Sequence, residues 1–220
     1  MILKNVTLFK EKWSRNIFLF LFSQTVSTLG SSVVSFSILW YLTLKYSSGI
    51  IITILILCTF IPQTIISLFA GVWADKYNKK YIIMFADSFI AIATFILVLF
   101  IFKGNESLYA IYGATVVRSI GSGIQSPSIS SLIPELVSKE SLSKVNGINN
   151  TIHSAVTLLS PAIGGIILGS FGIVYSLMFD VITALIGVGI LSVLSIKKRN
   201  NVEEKNNESQ IKQLIKGLKY

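Results

Sequence analysis

Six apolar stretches, each long enough to cross a bilayer as a helix, dominate this sequence. A helix rises about 1.5 Å per residue, so about 20 apolar residues cover the roughly 30 Å hydrocarbon core of a membrane. Turn or charge signals separate the stretches from one another. They lie near residues 17–44, 50–74, 81–102, 108–132, 145–170 and 173–196. The sequence therefore predicts an all-α integral membrane protein with six transmembrane helices.

The basic residues predict the orientation of these helices. Of the 19 Lys and Arg residues, Lys45 and Lys103 fall on one side of the membrane and Arg118 falls inside a span. The remaining 16 fall on the other side, at the chain ends and in the connections 75–80 and 134–144. Because cytoplasmic loops carry the excess of Lys and Arg, we expect both termini in the cytoplasm.

Composition narrows the class of protein further. With 52% hydrophobic and 13% charged residues, the chain is too apolar for an ordinary soluble domain. The net charge is +9, and the basic residues that produce it lie between apolar runs. This distribution favours lipid headgroups over nucleic acid as the partner. Cys58 is the single cysteine, so no intramolecular disulfide forms, and we predict neither a metal site nor a cofactor. We expect residues 1–16 to be a cytoplasmic segment and residues 197–220 to be a cytoplasmic linker with an amphipathic end.

Four ionisable residues lie inside predicted spans, where charge is costly and usually functional. Arg118 is nearest to the midplane, so it is a candidate for proton coupling or for the wall of a cavity. The alternative for Arg118 is a structural tie to backbone carbonyls or to an Asp. Asp87 and Asp180 lie closer to the ends of their spans, and for them a coupling role and a solvated role stay open. His153, among Asn, Thr and Ser residues, is expected to be a hydrogen-bonded packing residue.

Small and polar residues concentrate in the first and fifth spans. Those of the first span are Gln24, Thr25, Ser27, Thr28, Gly30, Ser31, Ser32, Ser35 and Ser37. Helix packing and a cavity wall both explain such residues, but Gln24 is too large for close packing, so we expect it to line a cavity. In the fifth span Pro161 removes a backbone hydrogen bond, while Gly164, Gly165 and Gly169 permit close contact, which predicts a bent helix against a neighbour.

The stretch GVWADKYNKK, between the second and third spans, resembles the cytoplasmic loop signature of the major facilitator superfamily. Gly71, Asp75, Lys76, Lys79 and Lys80 match that signature in place. A topology signal needs the lysines but neither the glycine nor the acid. In the family this loop forms an inner gate, so the resemblance implies that Asp75 accepts hydrogen bonds from a helix N-terminus that belongs largely to the other half of the transporter.

Two further signatures extend the resemblance to all six spans. The helix 4 signature, with its intramembrane Arg, is matched by Arg118, Gly121 and Gly123. The helix 5 signature of drug exporters is matched by Gly147, Pro161, Gly164 and Gly165, whereas Val156 and Ser160 replace its other two glycines. The runs 126–148 and 213–220 most resemble the drug-efflux branch that contains macrolide-efflux proteins and the enterobactin exporter.

The resemblance implies a twelve-helix transporter of the cell membrane, built from two halves with the substrate bound between them. Each half consists of two inverted three-helix repeats, and this chain corresponds to the N-terminal half. The implied function is proton-coupled efflux of lipophilic drugs such as macrolides by alternating access. The implied partners are membrane lipid, a small-molecule substrate and either a C-terminal six-helix half or a second copy.

Other classes of membrane protein also have several spans. The six-span domain of an ABC exporter would partner an ATPase with a Gly-rich phosphate loop, and no such loop follows. A membrane-embedded enzyme would need paired carboxylates, clustered His or a nucleophile with a base, and scattered Asp with one His do not supply these. A self-contained six-helix homodimer, acting as transporter or scaffold, and a non-functional truncated half stay open.

Overall fold

The computed structural model describes the backbone of residues 2–194 and the side chains of residues 15–194, which form six helices and no strand. The helices are α1 (Ile2–Tyr46), α2 (Gly49–Lys76), α3 (Lys79–Phe102), α4 (Leu108–Leu136), α5 (Lys139–Phe171) and α6 (Ile173–Val193). One to five residues join successive helices, so these run antiparallel. We call the end of the bundle at which α1 begins and α6 ends the termini end. The predicted linker 197–220 lies outside the described residues.

Five of these helices, all except α4, are long and apolar enough to cross a membrane. The predicted span 108–132 does form a helix, but α4 holds Arg118 and many Ser and Gly residues, which lower its hydropathy. The structure packs α4 against α2 and α3, and this contact covers much of its polar surface. The outer surface of the bundle is apolar, with exposed side chains such as Phe85, Leu99 and Leu185, and therefore suits lipid rather than water.

Two helices extend beyond the apolar runs that predicted them. α5 begins at Lys139, so only Val137 and Ser138 connect it to α4, and most of the expected connection 134–144 is helical. Glu140 lies in the first turn of α5, where a negative charge is favoured by the helix dipole. α1 likewise begins at Ile2.

Helix packing follows a pattern that repeats within the chain. α1 packs on α5 and α6, α4 packs on α2 and α3, and α3 packs on α6. Exchanging α1, α2 and α3 for α4, α5 and α6 leaves this set of main contacts unchanged. Because α1 and α4 run in opposite directions, the two three-helix units are related by an inversion of direction.

Buried apolar side chains form two clusters, one towards each end of the bundle. The cluster at the termini end includes Phe20, Ile83 and Leu132, and the cluster at the opposite end includes Leu42 and Leu97. The charged residues predicted inside α3, α4 and α6 lie between them along the helices. This separation buries a polar layer in the middle of the bundle.

Candidate functional site

An ion pair between α4 and α6 lies at the centre of the polar layer. Nη1 of Arg118 donates to Oδ2 of Asp180 and to the hydroxyl of Thr94. Both charged side chains are almost fully covered, at 6% exposure for Arg118 and 0% for Asp180. The pair thus links two helices of the same three-helix unit, and Asp180, rather than Asp87, is the partner of Arg118.

Neutral donors complete the surroundings of the Asp180 carboxylate. The hydroxyl of Ser31 donates to Oδ1 at 2.9 Å, and the hydroxyl of Thr94 lies 2.8 Å from Oδ2. Nη2 of Arg118 also donates to the carbonyl oxygen of Ser31 at 3.3 Å. Both carboxylate oxygens therefore accept hydrogen bonds, one of them from a cation, as an ionised carboxylate requires. We call Ser31, Thr94, Arg118 and Asp180 the ion-pair cluster.

A second polar group surrounds Asp87 on the termini-end side of the ion-pair cluster. Ser27 Oγ and Gln125 Nε2 each lie 2.6 Å from Oδ1 of Asp87, while Oδ2 has no hydrogen-bond partner among the described residues. Gln24 lies one turn before Ser27 on α1. Its amide nitrogen and oxygen are also buried and have no hydrogen-bond partner among the described residues. We call Gln24, Ser27, Asp87 and Gln125 the Asp87 cluster.

A polar cavity of about 140 Å³ opens between α1, α2 and α4. Of the four predicted coupling or cavity residues, Arg118 lines it, whereas Gln24, Asp87 and Asp180 do not. Ser31 and Ser35 supply the α1 wall, and Gln63 belongs to the α2 wall. Ligand pockets for drug-sized molecules usually hold roughly 300–1,000 Å³, so this cavity alone is too small for one.

The GVWADKYNKK loop divides into residues that bind within the bundle and residues that do not. Nζ of Lys79 lies 2.5 Å from Oε1 of Glu135 at the end of α4. Nζ of Lys80 donates to the carbonyl oxygens of Ser192 and Leu194, at 2.9 Å and 2.7 Å, so it caps the C-terminus of α6. The basic pair of the signature therefore holds three helix ends together. The sequence did not predict these partners. No sequence pattern marks Glu135, or the carbonyl oxygens of Ser192 and Leu194, as ligands of the two lysines.

The other residues of the signature face away from the described helices. Asp75 and Lys76 are exposed, and an added Cβ at Gly71 would meet nothing within 4 Å. Gly71 therefore makes no close contact with another described helix. The inner-gate role of Gly71, Asp75 and Lys76 stays a prediction.

Several glycines mark the closest helix contacts. An added Cβ at Gly121 would lie 2.5 Å from Cγ1 of Ile90 on α3, and one at Gly123 would lie 2.7 Å from the carbonyl oxygen of Gln63 on α2. The helix 4 signature thus fits α4 between its two neighbours. Gly187 of α6, which the sequence did not single out, lies close to α1, where its added Cβ would be 3.2 Å from the Ser23 carbonyl oxygen.

In α5, one predicted glycine contact occurs and others do not. An added Cβ at Gly164 would lie 3.0 Å from the carbonyl oxygen of Val33 on α1, but Gly147, Gly165 and Gly169 face open space. These three glycines lie on other faces of the helix, because each residue turns the chain by about 100°. The helix is continuous through Pro161.

His153 is exposed on α5, so the expectation of a packing residue inside the bundle was wrong. Its neighbours on the same stretch of helix are also polar and exposed: Asn146, Asn150, Thr151, Ser154 and Thr157. α5 makes its packing contacts with α1 through another face, which includes Val156 and Gly164. This stretch of helix therefore presents a polar surface that none of the described helices covers.

A third polar group lies at the opposite end of the bundle. Nζ of Lys45 and the hydroxyl of Tyr41 both donate to Oε2 of Glu106, which connects α1 to the α3–α4 connection. The hydrogen bond from Lys45 lowers the pKa of the Glu106 carboxyl, and the bond from Tyr41 adds to this effect. The sequence had placed Lys45 in a loop without assigning it a partner.

Comparison with known proteins agrees with this architecture. The family model of the Major Facilitator Superfamily matches residues 20–220. Macrolide efflux protein A of Streptococcus pyogenes is 24% identical over 208 residues, which are 94% of this chain and 51% of that protein. Multidrug resistance protein 2 of Bacillus subtilis is 25% identical, over 89% of this chain and 47% of that protein. The staphyloferrin A transporter of Staphylococcus aureus is 24% identical, over 85% and 47%.

The chain spans about half the length of these relatives. The family match covers α1 from residue 20 onward, the five other helices and the three signatures on which the resemblance was based. It confirms the predicted family and, with the five apolar helices, identifies a multi-pass integral membrane protein. The chain belongs to the Major Facilitator Superfamily of membrane transporters.

Proposed function

We propose that this chain is the N-terminal six-helix half of a secondary active transporter of the cell membrane. In this proposal the complete transporter exports lipophilic compounds, such as macrolides, in exchange for protons. The observation that carries the proposal is the buried Arg118–Asp180 pair beside a polar cavity that opens between α1, α2 and α4. An intramembrane charge next to such a cavity is typical of a transport pathway.

Two observations support a second six-helix half as the partner. The cavity is too small for a drug-sized substrate, so a second wall would have to enlarge it. The polar face of α5 that includes Asn150 and His153 is unsuited to lipid and needs a polar or protein surface against it. In alternating access two halves rock about a central site, so a second half would supply both the missing cavity wall and the surface against α5.

The loop after α2 fits a gate between the two halves. Lys79 and Lys80 hold the loop to its own half, whereas Asp75 is exposed beside the space left open at Gly71. A helix N-terminus of the second half would donate hydrogen bonds to the Asp75 carboxylate in one state and release it in the other. In this proposal both termini and this loop lie in the cytoplasm, as the distribution of Lys and Arg indicates.

Expression in a host that lacks its own drug exporters tests the proposal. The chain would be produced alone and together with the C-terminal half of a macrolide efflux relative, and export of a fluorescent lipophilic compound would be followed with and without a proton gradient. We expect gradient-dependent export only when both halves are present. Absence of export by the pair, or export that ignores the gradient, would contradict the proposal.

Chemical crosslinking in the same membranes separates a half-transporter from a homodimer. A crosslinked pair of identical chains that exports the compound without a second half would replace the proposed partner with a second copy. An Asp75→Asn variant tests the gate, and Lys76→Gln is its control for a lost charge on the same loop. Slower export in Asp75→Asn alone is the expected result.

A further inference from the structure

The two buried carboxyls of the polar layer have different surroundings. Asp180 accepts hydrogen bonds at both oxygens, and one donor is the Arg118 guanidinium. Asp87 accepts both of its hydrogen bonds at Oδ1, from the neutral groups of Ser27 and Gln125. This asymmetry at Asp87 is the pattern of a neutral carboxylic acid, in which one oxygen is a carbonyl acceptor and the other carries the proton.

Both carboxyls are buried, but only Asp180 has a cation beside it. Asp87 is 1% exposed, and an ionised carboxylate at that depth without a cation would cost far more than a neutral acid. Two of the helices near it, α1 and α4, offer neutral groups at this level. α1 presents Gln24 and Ser27, and α4 presents Gln125, while α6 contributes Asp180, which would repel a second negative charge.

The cation of the layer is bound elsewhere. Arg118 lies seven residues from Gln125 on α4, about two helical turns towards the opposite end of the bundle, and it donates to Asp180. The described side chains therefore place no cation against Asp87. One turn from Ser27, Gln24 is a further buried polar group, and its amide atoms have no hydrogen-bond partner among the described residues.

We propose that Asp87 is a proton-binding site, separate from the Arg118–Asp180 pair, and that its Oδ2 carries the proton in this conformation. When the bundle opens Asp87 to water, the O–H bond breaks, the proton leaves to the water and a carboxylate remains. The use of this proton for export rests on the proposed function. The site itself does not depend on transport.

Infrared spectroscopy of the purified chain in lipid nanodiscs at neutral pH tests the site. We expect the carbonyl stretching band of a protonated carboxylic acid in the wild type and in Asp75→Asn, an exposed control, and its loss in Asp87→Asn. Raising the pH should abolish the wild-type band. The absence of such a band in the wild type, or its persistence in Asp87→Asn, would overturn the proposal.

A second measurement tests whether the protonated group is an aspartate even if Asp87→Asn does not fold. The wild-type chain would be labelled with carbon-13 at the aspartate side-chain carboxyl, which shifts the band of a protonated Asp but not that of a Glu. An unshifted band would refute the assignment. Presence of the Asp band together with failure of gradient-driven export would reject the proposed function and leave the proton site in place.

Discussion

Removing the charge of Asp180 should destabilise the bundle more than any other single change in the polar layer. In Asp180→Asn, an amide replaces one carboxylate oxygen, so the Arg118 guanidinium loses its counter-charge. An Nδ2 group at the position of Oδ2 would also face two groups that now donate to it, those of Arg118 and Thr94. Breaking a buried ion pair by removing one partner typically costs about 3–5 kcal/mol. Because the side chain of Arg118 is only 8% exposed, water does little to reduce that cost.

Reversible unfolding in mixed detergent and lipid micelles, followed by circular dichroism, measures this free energy. Ser35→Ala is the matched control, since Ser35 also lies on the polar face of α1 but is exposed and donates only to the carbonyl oxygen of Ser31. We expect a change of less than about 0.5 kcal/mol for the control, as for most surface substitutions.

The double variant Arg118→Met with Asp180→Leu tests the physical cause. It removes both charges and leaves apolar side chains of similar size, which is often close to neutral for a buried pair. We therefore expect it to be more stable than Asp180→Asn. A loss below about 1 kcal/mol for Asp180→Asn, well under the range for a broken buried pair, would refute the reasoning. So would a double variant at least as unstable as the single one.

Three smaller effects follow from other contacts. Gly123→Ala places a Cβ against a backbone carbonyl of α2 and should cost about 1–3 kcal/mol in unfolding free energy, whereas Gly165→Ala, in open space, should be neutral or stabilising. A double-mutant cycle on Lys79 and Glu135 should give a coupling of about 0.2–1 kcal/mol that decreases as salt is added, because the pair is partly exposed; an unchanged coupling at high salt would contradict this. The pKa of Glu106 is lower in the folded state than in the unfolded chain. The stability that this carboxylate contributes is therefore complete above its unfolded pKa and is lost as pH falls through its folded pKa. A Glu106→Gln variant should lack this part of the pH dependence of the unfolding midpoint.

Much of the architecture could be read from the sequence, because a bilayer limits the possible structures. Apolar length alone predicts each helix, since a backbone in hydrocarbon must satisfy its own hydrogen bonds. Apolar length did not predict the polar helix ends, where residues such as those before Val145 continue α5 without any apolar signal. The sequence also predicted α4 as a span like the others, although the polar side chains of α4 need to be covered by α2 and α3.

The partners of the charged residues could not be read in the same way. The sequence marked Asp87, Arg118 and Asp180 as unusual, but it offered two carboxyls for one guanidinium. Their positions along the helices did not decide between them, since the choice depends on which helix faces α4 at the level of Arg118. Small residues make that approach possible. Gly30 and Gly187 allow α1 and α6 to meet, but Gly30 was one of many small residues in the first span and Gly187 was not singled out. Once α6 brings Asp180 to Arg118, the layer has no second cation for Asp87 among the described side chains. One structural pairing therefore determines the expected protonation of a different residue, which is why the ion pair and the proton site must be tested as separate groups.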